Sequence, residues 1–174
     1  MNTTLRQPPT INFLSPFGFK FVINKIPNVD FLVQATEIPQ VAMNAAKMPT
    51  PFVEIPFAGD HIQYSPLNII FKVDEDLINY IELYSWFKGL GFPFNFQEAQ
   101  EVYKEGAYSD GTLTILNSAM NPCAVVTYYD MFPTGISQLS FDSRNTDVKY
   151  VDCTATFLYR SFDIKSVTNH IAWA

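Results

Sequence analysis

Catalysis and metal binding draw on few side-chain types, and this sequence places them sparsely. Its two histidines, His61 and His170, sit in no recognisable motif, and its two cysteines, Cys123 and Cys153, lie in apolar or alternating stretches. A thiol nucleophile needs a positioned base, and a zinc site needs paired short spacings. Neither pattern is present, so both cysteines are read as buried, reduced thiols. There is no Gly-x-Ser-x-Gly elbow and, with 7 glycines in the chain, no glycine-rich phosphate loop. Asp74, Glu75 and Asp76 carry the hard oxygens a divalent cation prefers, but they stand where a helix begins and are read as capping it. Asp142 and Asp147 flank a Ser-Arg-Asn-Thr stretch that lacks the central Gly and terminal Glu of a calcium loop, which leaves an Asx-turn. Trp86 and Trp173 have rings that stack on sugars or bases; Trp86, inside a helical pattern, is read as core. No catalytic residue, cofactor site or metal site is expected, and the chain is read as a non-enzyme.

The surrounding elements are mostly strands. Residues 1–16 form a polar, proline-containing arm expected to be loose, with no apolar segment of the kind that leads an export signal. Phe17, Phe19, Phe21 and Ile23 alternate with Gly18, Lys20 and Val22, the period of a strand with one buried face. Residues 31–35 resume as a second strand, so a hairpin is expected. Residues 36–57 hold Pro39, Pro49, Pro51 and Pro56, which argues against a central strand. Their side chains (Val41, Met43, Met48, Phe52) are apolar rather than solvating, so this long arm is expected to pack on something else. Residues 67–73 read as a strand. A helix follows with Asp74 as N-cap, Leu77, Ile81 and Tyr84 on one face, and Gly89, Gly91 and Pro93 as stop signals. A turn of helix is expected around 97–102, then strands at 112–116, 124–131, 136–141 and 150–162. The fold class is mainly β: an antiparallel β-sandwich or barrel with one flanking α-helix and a long extended arm.

Composition narrows the function. In 174 residues, 11 Lys+Arg against 17 Asp+Glu leave a formal charge of −6, which disfavours sequence-independent binding to phosphates. No segment approaches the ~20 apolar residues of a membrane helix, and no membrane partner is expected. Charged residues make up only 16% of the chain while 48% are hydrophobic, so surplus apolar surface is expected to meet other subunits.

Several weak motifs occur in a telling order. Phe19-Lys20-Phe21-Val22-Ile23 leads to Phe31-Leu32-Val33-Gln34-Ala35-Thr36-Glu37-Ile38-Pro39; the arm closes with Phe52-Val53-Glu54-Ile55-Pro56-Phe57 and an Ala58-Gly59-Asp60 turn; and a strand enters Asp74-Glu75 and the Trp86 helix. Met131-Phe132-Pro133, Leu139-Ser140-Phe141-Asp142 and Thr156-Phe157-Leu158-Tyr159-Arg160-Ser161-Phe162 complete the series. In this order the chain resembles the tail tube proteins of contractile-tailed bacteriophages. The resemblance implies a single tail-tube-like domain over 17–174, forming hexameric rings that stack into a hollow tube, a structural conduit that lets DNA pass without specific binding. It implies that the arm at 36–57 reaches adjacent subunits through Pro39, Val41, Met43, Met48, Pro51 and Phe52. Tail sheath, tape-measure and baseplate proteins are the further partners it implies, in a virion tail assembled in the host cytoplasm. A baseplate tube initiator of the same fold is the alternative; a glycan-binding β-sandwich, which would expose Trp near loop carboxylates, is the alternative from another class.

Overall fold

In a computed structural model, which describes residues 11–91, 100, 106–144 and 149–167, the chain is mainly antiparallel β. Two sheets share one long strand. The first runs β1 (Phe19–Ile23), β6 (Ser109–Leu116), β7 (Pro122–Ile136) and β9 (Ser161–Ser166), with β9 on the N-terminal half of β7. The second runs from the C-terminal end of β7 through β8 (Asp152–Leu158) and β5 (Leu67–Lys72) to β2 (Val33–Thr36). The 15-residue β7 changes sheets at a bulge, where Tyr129 and Asp130 lie opposite Asp110 alone. Asp130 adopts the left-handed φ of 53°, and its N–H donates to the Asp110 carboxylate at 3.1 Å. The bulge is fastened from the far side by Arg160, whose guanidinium lies 2.9 Å from the Asp130 carboxylate and whose N–H donates to the Tyr129 carbonyl at 3.0 Å. A bulge adds local twist and bends its strand, and this one turns one strand into the corner of a sandwich.

Between the sheets lies one apolar cluster. Phe21, Ile23, Leu113, Val126 and Tyr128 enter from the first sheet, and Leu67, Ile69, Phe71, Cys153, Ala155 and Phe157 from the second. Period two explains the selection: alternate residues of β5 and β8 are buried and the residues between them face outward. The helix α2 (Ile78–Gly91) adds Leu83 and Trp86, the indole N–H donating to the Ala107 carbonyl at 3.1 Å. Trp86 is therefore core, as its context predicts.

Several local expectations are corrected. The first two strands do not form a hairpin: β1 pairs with β6 and β2 with β5. Pro27, with its preset φ, opens the short helix α1 (Pro27–Asp30) between them, and the Asp30 carboxylate accepts the Ile23 N–H at 2.8 Å. Phe17 and Phe31 lie outside their strands and are exposed. Asp74 does not cap the long helix. Its carboxylate accepts from Glu75 N–H, Leu77 takes a left-handed φ of 58° just before the helix, and Asn79 closes the entry by donating to the Lys72 carbonyl and accepting from Asp74 N–H. That anchor turns Asn79, Leu83 and Trp86 inward, leaving Ile81 and Tyr84 half exposed. Gly89 is buried within the helix, which continues to Gly91. Residues 137–141 are not a strand, and 150–162 is broken after Leu158 where the chain passes from β8 to β9. The Asx-turn at Asp142 is present, the carboxylate accepting the Arg144 N–H at 3.0 Å. Of the expected helical turn at 97–102 only Gln100 is described, and it is helical; Asp147, His170 and Trp173 lie outside the described residues.

Candidate functional site

The proline-rich stretch is the main departure from expectation and the most unusual element. It is a paired ribbon, β3 (Val41–Pro49) with β4 (Glu54–Tyr64), continuing seven residues beyond the expected arm. Among the described residues it hydrogen-bonds as strand only with itself. The prolines are accommodated because they stand before β3 (Pro39), at its last residue (Pro49), in the tip (Pro51), or on a strand whose outer edge has no partner strand among the described residues (Pro56). At the tip, Thr50 N–H donates to the Val53 carbonyl at 3.3 Å and Thr50 Oγ1 accepts Val53 N–H at 3.1 Å, which carries Phe52 outward at 98% exposure. The Ala58-Gly59-Asp60 stretch is not a turn: Gly59, Asp60 and His61 lie within β4 opposite Asn44 alone. Gly59 is required there, because a Cβ would stand 1.7 Å from the Asn44 carbonyl oxygen.

Every residue of β3, and all of β4 but Gly59 and Tyr64, is exposed. Strand alternation sorts the side chains. Near the tip, Met48, Ile55 and Phe57 share one face; near the base, Val41, Met43 and Ile62 occupy the other, running into Tyr64, whose ring meets Phe162 edge-on at 5.4 Å. Apolar groups thus lie on both faces, and laying the ribbon on its own core would cover only one. The polar decoration is light: Lys47 pairs with Glu54 at 2.9 Å, and His61 with Asp60 at 2.6 Å. Of the residues named from sequence, Val41, Met43, Met48, Pro51 and Phe52 are all exposed here, whereas Pro39, in the link from β2, is buried. Sequence reading missed the β4 side, namely Ile55, Phe57 and Ile62, although the alternation Glu54-Ile55-Pro56-Phe57 was a usable signal.

The roots of the ribbon are tied to the core. Tyr159 Oη donates to the Ser65 carbonyl at 2.8 Å and Tyr128 Oη to the Glu37 carbonyl at 3.4 Å. Asn68 Nδ2 donates to the Glu37 carboxylate at 2.9 Å, while Thr156 Oγ1 donates to Asn68 Oδ1 at 3.0 Å. Ser65 N–H donates to the Gln40 carbonyl at 3.0 Å, tying the two roots together.

Among the described residues, groups with chemical potential are not gathered elsewhere. Cys153 is buried, its thiol pushed up by desolvation and 3.6 Å from the Ser137 hydroxyl. Cys123 is half-buried on β7, and His61 is on the exposed ribbon. Both cysteines are free thiols. Among the described residues, no three of His, Cys, Asp or Glu are placed to hold a metal ion, and no helix is long and apolar enough to cross a membrane. An open groove of about 720 Å³ includes Leu32, Asp74, Phe141, Lys149 and Tyr150 in its lining, with no histidine or cysteine among its described lining residues.

No family model matches the sequence. It is 24% identical over 139 residues to the tail tube terminator protein of Enterobacteria phage T4, covering 71% of this chain and 77% of that protein. In structure it is similar to the tube-terminating cap of the anti-feeding prophage, with a TM-score of 0.64, 13% identity, and 96% of this chain and 100% of that one covered. It is similar also to a chain of the sheath–tube complex of the PVC extracellular contractile injection system in its extended state, with a TM-score of 0.61, 14% identity, and 88% and 92% covered. The chain thus shares the fold of contractile tail tube and terminator chains and is similar in sequence to one tube terminator, in keeping with the family that its motifs resemble.

Proposed function

We propose that the chain is a structural, non-catalytic subunit that forms a hexameric ring of a contractile tail tube and is completed by copies of itself through the β3–β4 ribbon. The observation that carries this reading is the ribbon itself. An isolated two-stranded ribbon is marginal in water, and this one is exposed on both faces and apolar on each in turn. Val41, Met43, Met48, Phe52, Ile55 and Phe57 would be covered by the adjacent subunit, with Pro39 and Pro51 shaping the approach. The formal charge of −6 supports a passage that repels phosphates and lets DNA slide.

Within that class, the names of the relatives favour a ring that closes the end of a tube. The T4 protein is called a tail tube terminator, and the anti-feeding prophage chain belongs to a terminating cap. A ring whose two faces are complementary stacks without limit; a terminating ring has one face that accepts the tube and another that does not. Sheath, tape-measure or baseplate proteins would meet it at those faces, in a tail assembled in the host cytoplasm. A tube-body subunit is the second reading, supported by the likeness to the sheath–tube complex. Negative-stain electron microscopy of concentrated protein separates them. Single or paired rings are expected for the terminator and long hollow cylinders for a tube-body subunit, while a monodisperse monomer indifferent to ribbon deletion would overturn both. The glycan-binding alternative loses its support at Trp86, which is buried rather than exposed beside carboxylates.

A further inference from the structure

The ribbon meets the core through two short irregular roots, residues 37–40 and 65–66. Neither root is helix or strand; within them Pro39 is buried, and the Ser65 N–H bond to the Gln40 carbonyl holds the two roots to each other but not to the sandwich. What reaches them is a pair of hydroxyls from the core interior. Tyr128 is fully buried and Tyr159 nearly so, and their rings pack edge-on at 5.3 Å. Both rings also pack against Phe162, at 5.7 and 5.9 Å, so neither is free to swing. Desolvation pushes Tyr159 up to about 12 and raises Tyr128 as well, so both hydroxyls stay protonated donors even well above neutral pH. One donor takes the outgoing root at the Glu37 carbonyl and the other takes the returning root at the Ser65 carbonyl. The Thr156–Asn68–Glu37 chain holds the outgoing root a second time from the outer face of β5 and β8.

We infer that Tyr128 and Tyr159 are positioning residues: their hydroxyls aim the ribbon at a fixed angle from the sandwich before any neighbour binds. This rests on the reading of the ribbon as the inter-subunit element. Ordering a flexible segment upon docking costs binding free energy, and a segment held in its bound direction avoids that cost. The two hydroxyls sit at the roots because a small rotation there is multiplied along the whole ribbon.

The test uses Tyr128→Phe and Tyr159→Phe, singly and together, which keep the rings and remove only the donors. Spin labels are placed at Phe52→Cys on the tip and Ser85→Cys on the helix, in a Cys123→Ser, Cys153→Ala background, at a concentration where light scattering finds monomer. In the double variant the width of the distance distribution is expected to about double as further orientations become populated. If the aimed orientation falls to a tenth of the population, the concentration needed for assembly rises about tenfold. Tyr129→Phe, which removes a hydroxyl outside this arrangement, is expected to change neither. An unchanged width in both single variants and the double variant overturns the inference, as does equal broadening by Tyr129→Phe. Replacing residues 41–64 with a short Gly-Ser linker tests the underlying reading separately: undiminished assembly would overturn the ribbon's inter-subunit role, whatever the distances report about the tyrosines.

Discussion

Asp30 offers a measurement in which sign and size both follow from the fold. Its carboxylate is half-buried at the end of α1, and desolvation, the largest influence, raises its pKa from 3.8 to about 6. The accepted Ile23 N–H and the nearby Lys20 act in the opposite direction, while Glu82 adds to the rise. A carboxyl that binds its proton more tightly when folded makes stability fall as pH rises between the two values. Below about pH 3.8 the group is protonated in both states and costs nothing; above about pH 6 the full penalty is present. The gap corresponds to ~3 kcal/mol at about 1.36 kcal/mol per pH unit. Because Asp30 keeps some solvent contact, about half of that, ~1.5 kcal/mol, is the expected effect. Asp30→Asn keeps an oxygen to accept the Ile23 N–H and removes the charge. Urea titration of dilute protein should therefore find the variant ~1.5 kcal/mol more stable near pH 7.5 and indistinguishable from the parent near pH 4. Equal stability at the higher pH, or a loss of stability at both, would refute the account of Asp30 as a buried charge that is tolerated for its backbone contact.

Gly59→Ala should disrupt the ribbon at its bulge and abolish assembly while leaving the core melt nearly unchanged; hydrogen exchange over residues 41–64 against thermal unfolding checks it. Gly111→Ala places a Cβ 2.4 Å from Met131 Sδ inside the core, so it should cost ~1–3 kcal/mol in urea unfolding through overpacking. Trp86→Phe leaves the Ala107 carbonyl without its donor and opens a gap beside Phe157, with an expected cost of ~2–3 kcal/mol in the same assay. Phe52→Glu, at a fully exposed tip, should leave monomer stability within ~0.5 kcal/mol and yet prevent ring formation, read by sedimentation and electron microscopy.

Much of the fold is visible in the alternation of side chains, because burying one face of a strand constrains every second residue. That holds for Phe21 and Ile23 in β1 and for Cys153, Ala155 and Phe157 in β8. Pairing was less visible. Phe17–Ala35 reads as a hairpin on local grounds, but each strand finds a partner far away in sequence, and Pro27 and Asp30 make the intervening turn helical. The helix face is hard to read from the sequence for a related reason. A helix apolar on most sides carries little directional information, and the deciding contact is polar, Asn79 to the Lys72 carbonyl. The arm was located by its prolines and its apolar side chains, and the same prolines concealed that it is a strand pair. Proline excludes a central strand, whereas a free-standing ribbon is all edge.

The corner at Asp130 has a mechanical consequence. Since β7 belongs to both sheets, the two layers are joined by covalent chain along that strand. Pulling the sheets past each other drags β7 lengthwise, and antiparallel hydrogen bonds lie across that direction. The rungs to β6, β9 and β8 then bear the load together instead of yielding one after another, as they would if a strand were unzipped from its end. A building block of this design is expected to resist sliding of its layers along β7 better than unzipping of a single strand from its end.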